Sequence, residues 1–179
     1  MILRPSQALA KKLNEGSLPS SPLDENPDAD WSAHLFTADR AQYIMVTNTP
    51  SLYSVVMFGK GITNGGVFID RALSAIREFM EGDGQAFIHQ RFVAPASESV
   101  RFAKALNRSV TGSMNDLIKH AKLWLAEGDI SPHDVGFRLN DILLSALARS
   151  KSDFYWKPRE AFKALAGGFR PRTTGGPVQ

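Results

Sequence analysis

The sequence predicts an α+β fold: an antiparallel sheet built as a meander around residues 31–58, with two main helices, 67–81 and 113–127, packed on it. Three observations predict it. Short runs rich in β-branched and aromatic residues follow one another between polar turns over 31–58. Two later stretches carry apolar residues at helical spacing. Strands cluster first and no internal repeat appears, which favours this class over a regular βαβ succession. The globular body is expected over residues 1–166, with a flexible basic tail over 167–179.

The elements follow in order. Ile2-Leu3-Arg4 reads as a short strand that Pro5 breaks, and Ser6 then caps a helix over residues 7–13. Residues 17–30 hold three prolines and several acidic residues, and read as an exposed loop. Residues 31–36, 43–46 and 52–58 are the three strands of the meander. In 67–81, Phe68, Ala72, Ile76 and Met80 recur once per turn. The alternation in 86–93 predicts a further strand. In 113–127, Met114, Leu117, Ile118, Ala121, Trp124 and Leu125 make the clearest stripe, and Ser113 with Asp116 has capping-box spacing. Residues 135–147 read as a strand followed by a turn or short helix. Pro158 opens a last helix that Gly167 ends.

Composition narrows the function classes. The chain has 179 residues, 43% of them hydrophobic and 22% charged, near globular averages. It has no cysteine, which excludes disulfides, thiolate metal sites and Cys nucleophiles. No signal peptide or membrane span is read, so a cytoplasmic protein with no membrane partner is expected. The net charge of +3 is unevenly placed. Residues 1–150 hold 15 Lys/Arg and 16 Asp/Glu, a net of −1, whereas residues 151–179 hold 6 and 2, a net of +4. A basic tail suits phosphate contacts, and equally suits a solvated end.

Four blocks carry a resemblance: Leu3–Leu13, Trp31–Phe36, Thr47–Val55 and Asn107–Asp116. They resemble a small bacterial family that bears only a domain-of-unknown-function label. The resemblance implies no activity, and it directs attention to residues 107–116.

That segment, with Gly112 before the predicted helix start at Ser113, suggests an anion site. Arg108, Ser109, Ser113 and Asn115 would bind a phosphate or carboxylate at the positive end of the helix. The alternative is that Ser113 and Asp116 merely cap the helix. Asp116 and His120, one turn apart, are the candidate acid–base pair, and otherwise an ordinary solvated pair. His34, His89, His120 and His133 are scattered without metal-ligand spacing, and neither a metal nor a cofactor is expected. Trp31, Tyr43, Tyr53 and Phe58 fit core packing better than base stacking. Two classes remain: an interaction module for a protein or nucleic-acid partner, and a small enzyme on an anionic substrate using Arg108, Ser113, Asp116 and His120. A shallow patch or an uncovered sheet edge would favour the module, and a pocket joining those residues would favour the enzyme.

Overall fold

A computed structural model describes residues 1–147 and 156–168. Its centre is a five-stranded sheet in the order β4-β3-β2-β1-β5. The meander forms as expected, with β2 (Asp30–Ala38), β3 (Ala41–Asn48) and β4 (Ser54–Phe58) pairing antiparallel. The sheet as a whole is mixed, which corrects the purely antiparallel expectation. β1 (Ile2–Pro5) runs parallel to β2, and the two-residue β5 (Arg101–Phe102) runs parallel to β1. The chain leaves β1 through α1 (Gln7–Lys12), capped by Ser6, and returns along the same direction after the Pro-rich segment.

Alternation along β2 and β3 sends side chains to opposite faces. Trp31, Ala33, Ile44 and Val46 face a core that includes Leu9 of α1 and Phe68, Ala72, Ile76 and Met80 of α2 (Gly65–Gly82). The last helix, α6 (Pro158–Ala166), closes this side with Phe162, whose ring stacks on Tyr53 at 4.5 Å and meets Trp31 edge-on at 6.0 Å. The opposite face carries Phe36, Tyr43, Met45 and Val56. It packs against Val110, Met114, Leu117 and Ala121 of α4 (Arg108–Ala126) and Val135 and Leu139 of α5 (Pro132–Leu139). Helices thus cover both faces. At one end of the α4 side the sheet is polar: Thr47 bonds Ser54 and Ser32 bonds Thr49, hydroxyl to hydroxyl at 2.9 Å, all four buried.

Three local expectations are corrected. Residues 86–93 are not a strand. They form α3 (Ala86–Ile88) running into a π turn (His89–Val93) that Ala94 closes by donating to His89 O at 2.8 Å. The buried residues there are Gln85, Ile88 and Val93, spaced three and five apart, and Phe87 is 73% exposed. Residues 135–139 belong to α5, because Ser131 caps Asp134 N and Pro132 starts the helix with its preset φ. The Pro-rich segment is not simply an exposed loop. Arg4, fully buried, spends all five of its N–H groups: two on Asp30, two on Ser21 O and Pro22 O, and one on Lys104 O. The segment 148–155, and residues 169–179 of the expected basic tail, lie outside the described residues. Among the described residues, no helix is long and apolar enough to cross a membrane.

Candidate functional site

α4 starts at Arg108, not at Ser113. Asn107 is the N-cap, its Oδ1 accepting from Val110 N at 3.0 Å. Val110 and Met114 are buried, so packing carries the apolar stripe one turn further back than the glycine suggests. Gly112 is exposed inside the helix, and a Cβ there would meet nothing within 4 Å. The capping box does not form. Ser113 is half-buried within the helix, and Asp116 pairs with Lys119 at 2.8 Å on the solvent side. Arg108 and Ser109 are exposed in the first turn, and no described residue pairs with Arg108. Asn115 hydrogen-bonds the side chain of His34 on β2, opposing the burial that holds His34 below the ordinary histidine range. His120 lies against the Trp124 ring at 5.8 Å. From Arg108 to His120 the helix rises about 18 Å, so these two cannot address one small substrate.

Three cavities among the described residues lie elsewhere. The first, about 310 Å³, is lined by Val55, Val56, Met57 and Phe58 of β4, by Arg71, Ser74, Ala75 and Glu78 of α2, and by Ser131, Pro132 and His133 at the start of α5. Residues of both parities along β4 line it. The cleft therefore sits at the strand's edge rather than over one face. β4 is an outer strand, and its backbone groups alternate between β3 and the outside. Tyr53 O accepts from Asn48 N and Gly59 N donates to Gln42 O, which turns the odd positions toward β3. Ser54, Val56 and Phe58 therefore present their backbone outward.

At Ser54 the outward groups are occupied. Asn140, just beyond α5, accepts from Ser54 N at 2.8 Å and donates to Ser54 O at 2.9 Å, imitating a neighbouring strand with one side-chain amide. Val56 and Phe58 have no such partner among the described residues; Phe58 is 56% exposed beside the cleft, whereas Val56 is buried at its base. His133 at the mouth packs edge-on against Phe79 at 5.3 Å. Two further cavities are lined respectively by residues around Asp28, and by Pro5, Gln7, Ala10, Gly16–Leu18, Lys104 and Ala105. None of the three is lined by Arg108, Ser113, Asp116 or His120.

Behind the cleft, a polar chain holds the ends of α2, α5 and α6 together. Tyr53 Oη donates to Asp83 Oδ2 at 2.8 Å, Arg159 Nε donates to Asp83 Oδ1 at 3.0 Å, and Arg159 Nη1 donates to Asp141 Oδ1 at 2.6 Å. Burial, with the Asp83 charge beside it, pushes the Tyr53 phenol above its ordinary range. The Tyr53 hydroxyl is thus a fixed donor, not an acid–base group. Among the described residues, no three His, Asp or Glu side chains gather as metal ligands.

Neither Asn140 nor the edge cleft is among the sites the sequence suggests. A lone Asn after a helix carries no periodic signal, and an edge exists only once strand order is known. Comparison with curated proteins and with solved structures finds no match. Comparison with protein families matches residues 2–161 to the Domain of unknown function (DUF6933). The match covers most of the chain, and the protein belongs to that family.

Proposed function

We propose that the chain is a non-enzymatic interaction module that takes an extended peptide segment of a partner protein at the outer edge of β4. The carrying observation is the outward backbone of Val56 and Phe58, unpaired among the described residues, in a cleft between α2 and the start of α5. Main-chain pairing at such an edge supplies affinity, and pockets for alternate side chains supply selectivity. Here the apolar walls Met57, Ala75 and Pro132 would receive an apolar side chain. Arg71, Glu78 and His133 at the rim would select polar neighbours. Asn140 shields the remaining outward groups at Ser54, which limits unwanted pairing along the edge. The rival enzyme reading has less support, because among the described residues Arg108, Ser113, Asp116 and His120 line none of these three cavities, and Arg108 and His120 stand about 18 Å apart along the helix.

Selection from a displayed library of extended peptides, followed by amide exchange on the complex, tests the proposal. Bound peptides should slow exchange at Val56 and Phe58 by at least about ten-fold, the signature of new main-chain hydrogen bonds. Ala75→Arg, which fills the cleft, should remove binding without unfolding the protein. If selected peptides leave both amides unprotected, or no peptide is selected, the edge is not the docking site. Protection confined to residues 108–120 would return the function to the α4 surface.

A further inference from the structure

The Asp28 carboxyl is buried without a counter-ion among the described residues. Asp28 lies in the 3-10 turn Pro27–Ala29, is 3% exposed, and its Oδ1 has no hydrogen-bond partner. The polar groups around it are committed elsewhere. Asn26 Oδ1 accepts from Asp28 N and Asn26 Nδ2 donates to Phe92 O. Trp31 Nε1 donates to the backbone oxygen of Asp28, not to its carboxyl. Asp28 forms part of the wall of a cavity of about 360 Å³, with Glu25, Asn26, Phe92, Leu165 and Gly168 among the other lining residues. Among the described residues, none that lines the cavity is a cation. The charged groups nearest in the chain are Asp30, Glu25 and Asp24, all negative; Asp30 is paired with Arg4 at 2.8 Å, and Asp24 Oδ2 faces the Met1 ammonium at 4.0 Å. Arg91 lies over the Phe92 ring at 6.0 Å. Burial pushes the Asp28 carboxyl up to about 6, which still leaves it largely ionised at neutral pH. An isolated buried carboxylate is costly, and native proteins offset that cost with a paired cation.

We propose that this cavity binds a small organic cation, a guanidinium or primary ammonium group, whose N–H donors pair with the Asp28 carboxylate while its apolar part rests on Phe92 and Leu165. A hard divalent metal is a poor fit, since it needs several oxygen ligands and this wall is half apolar. A guanidinium matches both halves. It is planar and weakly hydrated, forms forked bonds to carboxylates, and stacks on aromatic rings. Two sources have this chemistry: a free ligand, and the chain's own Arg170 and Arg172, which follow Gly168 in the sequence. The site is independent of the β4 edge, so failure of either proposal leaves the other standing.

The test uses the full chain and its Arg170→Gln/Arg172→Gln variant, melted with methylguanidinium chloride or methylammonium chloride against sodium chloride at equal ionic strength. A saturable rise of roughly 3–5 °C at about ten times Kd is expected in at least one of the two chains. A rise in both identifies a free ligand as the source, and a rise only in the double variant identifies the tail arginines. In either case Asp28→Asn, made in the responding chain, should abolish it. Carboxyl NMR in that chain provides a reading that needs no Asp28 variant: the Asp28 titration midpoint should fall on saturation with the probe. No saturable rise in either chain, an equal rise with Asp28→Asn, or an unmoved midpoint overturns the proposal.

Discussion

Arg4 and Asp30 form a forked ion pair inside the protein, Nε to Oδ1 and Nη2 to Oδ2 both at 2.8 Å, with neither side chain exposed. The remaining N–H groups of Arg4 bind the backbone at Ser21, Pro22 and Lys104, so one side chain ties β1 to the loop and to the segment after β5. Removing one member of a buried pair strands the other charge. Arg4→Met should therefore cost about 3–5 kcal/mol in urea unfolding. The double variant Arg4→Met/Asp30→Asn should recover part of that loss, because no bare charge remains. Arg4→Lys should still be destabilising, since an ammonium cannot reproduce the fork.

The start of α4 yields a second prediction. Asn107 caps the helix and Ser113 does not. Asn107→Ala should cost about 1 kcal/mol, whereas Ser113→Ala should be close to neutral. Gly112→Ala should stabilise by roughly 0.5–1 kcal/mol, because the position is helical with open space around the new methyl. Denaturant midpoints of the three variants separate the two helix starts directly. Equal losses at Asn107 and Ser113 would contradict the observed cap.

The meander and the main helical stripes were legible because period and turn chemistry are local. What was not legible depended on distant partners. The direction of β1 is set by its return through α1 beside β2, and no residue in Ile2–Pro5 encodes it. Gly112 reads as a helix start, yet burial of Val110 and Met114 against the sheet overrides it. Asp28 reads as one more solvated acid in a Pro-rich run, and becomes a buried one because Arg4 folds that run inward. Of the residues suggested as a site, Arg108 and Ser109 are exposed in the first turn of α4, whereas Asn115 reaches back to His34 on the sheet. The edge of β4, by contrast, emerges only from strand order.

Stability should depend on pH through two carboxyls with opposite signs. Asp28 is raised to about 6 from 3.8, so between those values the fold holds a proton that the unfolded chain has lost. Stability from this group therefore falls as pH rises through that window, and the penalty is full above it. Asp28→Asn should stabilise by on the order of 1–3 kcal/mol at neutral pH and by little near pH 4. Asp141 is lowered, chiefly by its hydrogen bond from Arg159. Its contribution is present above the unfolded value and is lost as pH falls through the folded one. Asp141→Asn should flatten only that acid limb. Unfolding free energies of the two variants across pH, each subtracted from the parent, check both signs.

Asn140 offers the most direct link between stability and the outer edge of β4. Its amide meets both outward groups of Ser54 and is itself wholly buried. Asn140→Ala leaves a buried N–H and a buried C=O without partners, and should cost about 2–4 kcal/mol on the usual penalty for each. Asn140→Asp keeps the acceptor for Ser54 N but loses the donor to Ser54 O, setting an oxygen against an oxygen. It should therefore be no more stable than the alanine variant, despite its closer shape. In both variants the Ser54 amide should exchange faster than in the parent, while the amides of Val55 and Met57, bonded to β3, remain protected. The outward edge would then extend from Phe58 back to Ser54, and a longer peptide could pair along it. If β4 adds strands, the Asn140 variants should bind extended peptides with a longer footprint or aggregate through that edge, and light scattering distinguishes the second outcome. A protected Ser54 amide in Asn140→Ala would mean that another group has replaced the side-chain plug, and the proposed role of Asn140 in shielding the edge would fail.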